Sequence, residues 1–434
     1  SAERAAAAQR EWAATGHEER AAVLRRAADL WAQHASEFES IIVRETGGVP
    51  LKARAETTMA SHECLESAAL SSRPYGSLLQ SSRADLSMAR HLPVGVVAVI
   101  TPFNFPLGLG IRSVAPALAL GNAVLLKPDL RTAVTGGVLF AHVFEEAGLP
   151  GGLLHVLPGG ADVGQALIAA AQVRVISFTG STEAGRKVGE AAARHFKRAH
   201  LELGGNNALV VLGDADLERS VNAAAFGAFR HQGQICMTVG RHIVASEIAD
   251  EFVGRLAEKA AGLSVGNPNI DRVELGPMID EGQRDRVHGL VTASVDAGAT
   301  LATGGEYDGL FYRPTVLDRV GPDSPVYASE VFGPVAPVIR FSSLDEAAAL
   351  AGDTEYGLSL GILTRDVMAG LELANRIPSG MVHINDQTIG DDPVAPFGGV
   401  GSSGSGSRFG GDWNIEAFTD TQWVTVNNEI PRYP

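Results

Sequence analysis

Cysteine is almost absent from this chain of 434 residues: two occur, Cys64 and Cys236, far apart and without metal-ligand spacing. No disulfide scaffold is expected from such a pair. The twelve histidines form no HxH or HExxH pattern, so no metal site is expected either. No apolar stretch is long enough to span a bilayer, and the opening SAERAAAAQREWAATGHEER is charged and amphipathic, unlike a secretion signal. A cytoplasmic location is the resulting expectation. The chain opens inside a helical pattern, so native residues are expected to precede Ser1. Basic side chains are the minority, 35 against 50 acidic ones, for a formal charge of −15. Such a surface repels nucleic acid and anionic membranes and leaves small molecules as the expected partners.

What is present is a large apolar inventory, 45% of residues, with glycine and proline spread along the chain. That composition and length fit two substantial domains and favour an enzyme. From residue 2 to about 70, apolar residues such as Ala21, Leu24, Ala28 and Trp31 recur at three- and four-residue spacing, which predicts amphipathic helices. Residues 75 to 91 turn polar and then alternate, which predicts an extended hairpin outside the main core with an interface role. The segments VGVVAVI, AVLLK, GLLHVL and VRVISF then alternate with helical patterns. A second series follows with NALVVL, RHIVAS, a helix from about 249 to 263, PVAPVIRF, LSLGIL and GMVHIN. Strand–helix alternation of this kind predicts two α/β domains with parallel sheets. The glycine- and serine-rich stretch at 396 to 411 reads as a packed loop rather than a linker, because the aromatic and β-branched IEAFTDTQWVTV behind it reads as an ordered strand.

Several segments carry candidate chemistry. FTGSTEAG at 178 to 185 joins a strand to a helix, so Gly180 and Ser181 can present backbone N–H groups and a helix dipole to a pyrophosphate. Its spacing is not GxGxxG, and a glycine turn between strand and helix is more often plain connection. Lys127 ends the preceding strand pattern, where its ammonium could meet nucleotide hydroxyls or phosphates, although a lone lysine at a strand end is usually solvated. Cys236 in GQICM is by default a buried structural thiol. A nucleophilic role needs a depressed pKa. His231 stands five residues upstream, poor spacing for a Cys–His pair, and reads as structural. Glu202 in ELGG is a carboxylate beside glycines that permit close backbone approach, although taken alone it reads as an ordinary surface glutamate. Asn104 in TPFNFP is held between two aromatics and two prolines, as an oxyanion donor needs to be, although a turn-forming asparagine would look the same.

Taken in order, TPFNFPL, LLKPD, FTGSTEAG, LELGGNN, GQICM, EVFGPV, EYGLS and PFGGVG are a motif set that resembles the aldehyde dehydrogenase superfamily over nearly the whole chain. Eight motifs in sequence are specific where each alone is not. The resemblance implies a Rossmann-like nucleotide-binding domain (residues 1–74 and 92–202), an α/β catalytic domain (203–410) and a small β oligomerisation element (75–91 and 411–434), assembled as a homodimer or homotetramer. It implies Cys236 as nucleophile and an oxyanion hole of the Cys236 N–H and the Asn104 amide. A thiohemiacetal would lose hydride to NAD(P), and Glu202 would activate the water that hydrolyses the thioester. Lys127, Gly180, Ser181, Glu330, Phe332, Thr101, Phe103 and Leu203 are its implied cofactor contacts.

Three places depart from the family pattern. Leu130 replaces a glutamate that in many relatives favours NAD, so NAD is the expected cofactor with NADP left open. Ser113, beside Arg112, replaces a lysine, and the tail reads GSSGSGSRF. These features, with HINDQT, SRFGG and the closing IPRYP, resemble the benzaldehyde, vanillin and salicylaldehyde dehydrogenase branch. An aromatic aldehyde is therefore the implied substrate, with Phe105, Leu109, Ile235, Met237 and Phe397 forming an apolar slot and Arg112 meeting a ring substituent. The alternatives are a semialdehyde or aliphatic aldehyde dehydrogenase, and a catalytically silent homologue.

Overall fold

The computed structural model describes residues 1–73, 75–82 and 85–433. Four helices, Ala2–Ala14, His17–Gln33, Ala35–Thr46 and Pro50–Leu70, fill the expected helical preface. In the second of these, Ala21, Leu24, Ala28 and Trp31 form the buried stripe that their spacing predicts. Gly47, at φ +67°, ends the third in the left-handed conformation that glycine adopts without strain. The second and fourth of them pack against Pro106–Ala119, a helix buried on nearly every side.

Two sheets organise the rest. The first has five parallel strands in the spatial order Leu154–Val156, Ala123–Lys127, Val96–Ile100, Val173–Thr179, Arg198–Glu202. Its central strand, VVAVI, is buried at every residue, as a parallel strand covered on both faces requires. The second has seven strands in the order Thr300–Thr303, Thr315–Asp318, Val335–Phe341, Val239–Ala245, Asn207–Val211, Ser359–Leu363, Met381–Ile384. It is parallel except for its Thr300–Thr303 edge. The α/β expectation therefore holds. Sequence reading passes over Thr315–Asp318 and Thr300–Thr303, each four residues long and without the apolar length of their neighbours.

A third, antiparallel sheet joins Gly76–Leu79, Leu86–Pro93 and Thr419–Val426. The hairpin expected at 75 to 91 is its first strand pair, with residues 83 and 84 outside the described residues. The IEAFTDTQWVTV segment needs a correction. Only its last eight residues, Thr419–Val426, are a strand, and Trp413–Phe418 is a helix, with Phe418 fully buried against Phe409 and His200. Burying Ala417 and Phe418 on one face suits a helical turn better than alternation across a sheet. The glycine-rich stretch before it is a packed loop. Phe397 and Phe409 exchange both backbone hydrogen bonds at 2.9 Å, and Ser403 accepts from Leu203 N at 2.9 Å. Among the described residues no helix is long and apolar enough to cross a membrane.

Candidate active site

The carboxyl edge of the five-stranded sheet faces the amino edge of the seven-stranded one. Val96–Ile100 runs directly into Thr101, Phe103 and Asn104, Ala123–Lys127 ends on Lys127, and Val173–Thr179 leads to Gly180 and Ser181. Arg198–Glu202 ends on Glu202, followed by Leu203. The neighbours of Val96–Ile100 lie on opposite sides of it, so the order of the sheet reverses here and opens the crevice where α/β folds bind ligands. From the other sheet, Cys236 precedes Val239–Ala245, while Glu330 and Phe332 precede Val335–Phe341. The glycines of ELGG make this meeting sterically feasible. A Cβ on Gly204 would overlap the Glu330 carboxylate, and one on Gly205 would stand 2.6 Å from the Cys236 carbonyl oxygen.

Three cavities meet at this junction. One of about 880 Å³ is lined by Thr101, Phe103, Lys127, Leu130, Arg131, Gly180 and Ser181. It shares Phe103, Gly180 and Ser181 with a central cavity of about 420 Å³, whose walls include Asn104, Leu203, Cys236, Glu330 and Phe332. A third, of about 600 Å³, is lined by Phe105, Leu109, Arg112, Ile235, Met237 and Phe397, and shares Asn104 and Cys236 with the central one. The structure thus places every expected cofactor contact in the first two cavities and every expected slot residue in the third. Cys236 and Asn104 stand in the wall between them.

The first two cavities suit a dinucleotide. Ser181 caps the Thr182–Arg194 helix, its hydroxyl accepting from Ala184 N at 3.3 Å, so the N-terminal amides of that helix face the cleft. Thr101 Oγ1 is buried without a hydrogen-bond partner, an unmet polar group on the cavity wall. Phe332, at φ +54°, packs edge-on against Phe103 with ring centroids 5.9 Å apart, and Arg131 lies 4.2 Å over the other ring. The Glu330–Phe332 loop is tied down by Arg286, which donates to the carbonyls of Glu330 and Val331, and by Gln283, which donates to that of Phe332 at 2.8 Å. Glu330 accepts from Gly205 N at 3.0 Å, and burial pushes its carboxyl up to about 7.

The electrostatics around Cys236 differ from the depressed pKa that sequence reasoning asks of a nucleophile. Burial, reinforced by the Glu330 and Glu202 carboxylates, pushes the thiol up to about 12, and Arg112 offsets only part of this. No helix begins at Cys236 to lower it. Asn104 is buried, its Nδ2 donating to the Gln234 carbonyl at 3.0 Å, which ties the TPFNFP turn to the cysteine loop. Among the described residues the Cys236 N–H meets no acceptor, while its carbonyl accepts from Asn207 Nδ2 at 2.8 Å. Glu202 is not on any of the three cavity walls. It is buried, and burial raises its pKa well above the usual range despite Arg112, Arg408 and the Gly399 backbone N–H.

Other side chains shape the site around these. Arg112 lines the third cavity, but its guanidinium pairs with Asp391 and stacks 4.0 Å over Phe397. Glu56, from the helical preface, is fully buried. Its Oε2 accepts from Leu107 N at 2.9 Å and Gly108 N at 3.1 Å, and its Oε1 pairs with Lys52. His231 packs edge-on against Phe105 at 5.3 Å, and burial beside Lys52 keeps it neutral. Nothing local announces Glu56 or Asp391, because each acts on residues far away in sequence.

Residues 1–424 match the family model described as aldehyde dehydrogenase family. The chain belongs to that family. It is 65% identical over 435 aligned residues to a vanillin dehydrogenase of Amycolatopsis sp., covering 100% of this chain and 90% of the relative. It is 51% identical to a benzaldehyde dehydrogenase [NAD(+)] of Pseudomonas putida, covering 98% and 88%. Among solved structures, a salicylaldehyde dehydrogenase from Pseudomonas putida G7 complexed with salicylaldehyde superposes with a TM-score of 0.97 at 37% identity, covering 100% of this chain and 90% of that one. As an aldehyde dehydrogenase, this chain carries the family's motif residues at the meeting of its two large sheets.

Proposed function

We propose that the protein oxidises an aromatic aldehyde to its carboxylic acid with NAD, through a thioester on Cys236. The observation that carries this reading is one thiol in the wall between a dinucleotide-sized cleft and an apolar cavity lined by Phe105, Ile235, Met237 and Phe397. The vanillin, benzaldehyde and salicylaldehyde dehydrogenases it resembles support the substrate class, and the benzaldehyde dehydrogenase [NAD(+)] supports the cofactor. In this reading residues 1–74 and 92–202 form the nucleotide-binding domain, 203–410 the catalytic domain, and 75–91 with 411–434 the oligomerisation element.

Thr101, Phe103, Lys127, Gly180 and Ser181 would hold the adenosine and pyrophosphate portion, and Leu203, Glu330 and Phe332 the nicotinamide end. When bound there, NAD supplies the two-electron acceptor for the carbonyl hydrogen. Cys236 Sγ adds to the carbonyl carbon, and its proton leaves to solvent or to a nearby base. The new alkoxide accepts hydrogen bonds from the free Cys236 N–H and from Asn104 Nδ2. After oxidation Cys236 holds the acyl group as a thioester. Water then adds to that carbonyl as Glu202 takes a proton, the C–S bond breaks, and the acid leaves with Cys236 restored. In the resting structure Glu202 is buried and favours its neutral form, so this step requires its carboxylate to turn toward the thioester and ionise.

The direct test is turnover of benzaldehyde, vanillin and a medium-chain aliphatic aldehyde, each with NAD and NADP. Higher kcat/KM for the aromatic pair with NAD is expected, and a clear aliphatic preference would sink the proposal. The antiparallel sheet is further assigned to self-association, because Leu78, Leu86 and Trp423 leave 77%, 45% and 68% of their surface exposed there. Sedimentation velocity should show a dimer or tetramer that Trp423→Glu weakens; a wild-type monomer would remove this assignment.

A further inference from the structure

Among the described residues, the arginine and carboxylate side chains lining the third cavity are paired with one exception. Arg112 is held by Asp391, and the Glu56 carboxylate is taken up by Lys52 and two backbone amides. Arg54, at the exposed end, has Glu39 at 3.7 Å. Arg230 also lines this cavity, yet among the described residues its guanidinium meets no carboxylate and donates no hydrogen bond. It lies over the face of Phe226, 4.8 Å from the ring centroid, which leaves the N–H edges of the guanidinium free. It is partly buried, and desolvation is the sole influence on its pKa, with no acid offsetting it.

Its position is fixed by local structure. Arg230 ends the Leu217–Phe229 helix and stands six residues before Cys236. His231 and Gln232 follow at φ +49° and +55°, a strained turn that persists because both side chains are buried. The same cavity is lined by Cys236 and by the apolar side chains of Phe105, Ile235 and Met237, walls for a ring rather than for a polar chain. Leu51, Arg54 and His62, also in its lining, are exposed and mark its opening to solvent. In a chain of net charge −15, an unpaired cation in the substrate cavity is the reverse of the average surface, and such a group attracts anions that the rest of the molecule repels.

We infer that Arg230 is a specificity-determining residue that receives an anionic oxygen on the aromatic ring, so that the preferred substrates are aromatic aldehydes carrying a carboxylate or phenolate on the ring. This rests on the aromatic-aldehyde reading above and adds the charge of the substituent to it. One charge-assisted hydrogen bond from a guanidinium is worth about a tenfold change in affinity.

The test compares 4-carboxybenzaldehyde with its neutral methyl ester, methyl 4-formylbenzoate, at low and high salt with NAD. In the wild type, kcat/KM is expected to favour the carboxylate by about tenfold, and salt should erode that preference. Arg230→Met should bring the ratio close to one, through KM for the carboxylate substrate rather than through kcat. Arg230→Lys, which keeps the charge but loses the planar fork, should retain part of it. A wild type with no preference, or an unchanged ratio in Arg230→Met, would overturn the assignment. Should Arg230→Met not fold, the Arg230→Lys ratio and the wild-type salt response decide the matter. If neither aldehyde is oxidised at all, it is the aromatic-aldehyde reading that fails; oxidation of both without preference sinks Arg230 alone.

Discussion

At Cys236 the surroundings oppose ionisation. The thiol packs against Ile235, Met237, Leu358 and Phe397, and the desolvation this brings, with Glu330 nearby, leaves it protonated at rest. Because its pKa stands far above neutrality, the thiolate fraction grows across the whole accessible alkaline range. Without NAD, iodoacetamide labelling of Cys236 should therefore rise roughly tenfold per pH unit between about pH 7 and about pH 9. A rate that is already flat near neutral pH would show that the protein itself depresses the pKa. The sequence identifies the thiol and its companions Glu202 and Asn104 through their motifs, but it carries no measure of burial. The same burial that raises Cys236 also holds Glu202 neutral and off the cavity walls.

Between elements, the Pro106–Ala119 helix shows what periodicity leaves out. Pro106 at its first turn needs no hydrogen bond of its own, yet the amides of Leu107 and Gly108 would be buried donors without acceptors. Glu56 Oε2 accepts both and places negative charge at the positive end of the helix dipole, while Lys52 balances the charge. The helix so anchored follows directly on Asn104 and Phe105. Glu56→Gln keeps an acceptor but leaves the Lys52 ammonium buried without a counter-charge, which should cost about 3 kcal/mol. Urea unfolding measures this, and the Lys52→Met, Glu56→Gln pair should recover part of the loss. A Glu56→Gln protein as stable as wild type would mean that the cap contributes little. The apolar spacing in Pro50–Leu70 reveals a helix; that one of its acids caps a helix fifty residues on is a property of packing. The Trp413–Phe418 helix was hidden for a related reason, since Phe418 and the β-branched residues after it suit a strand, and burial against Phe409 decides otherwise.

For the molecule as a whole, alternating strand and helix patterns disclose two parallel sheets, and the order of motifs discloses that the loops at their ends belong to one site. They do not disclose that the carboxyl edge of one sheet meets the amino edge of the other, nor that Gly204 and Gly205 are what allows Glu330 and Cys236 to approach there. That arrangement puts the nucleotide cleft and the apolar cavity on two sides of one sulfur, and the proposed thioester follows from it. The most direct measurement is peptide mass mapping of Glu202→Gln after incubation with benzaldehyde and NAD. With hydrolysis slowed, one benzoyl group should accumulate on the Cys236 peptide and none on the Cys64 peptide. Steady benzoate production by this variant with no acyl group on Cys236, or labelling of Cys64 instead, would contradict a thioester at Cys236.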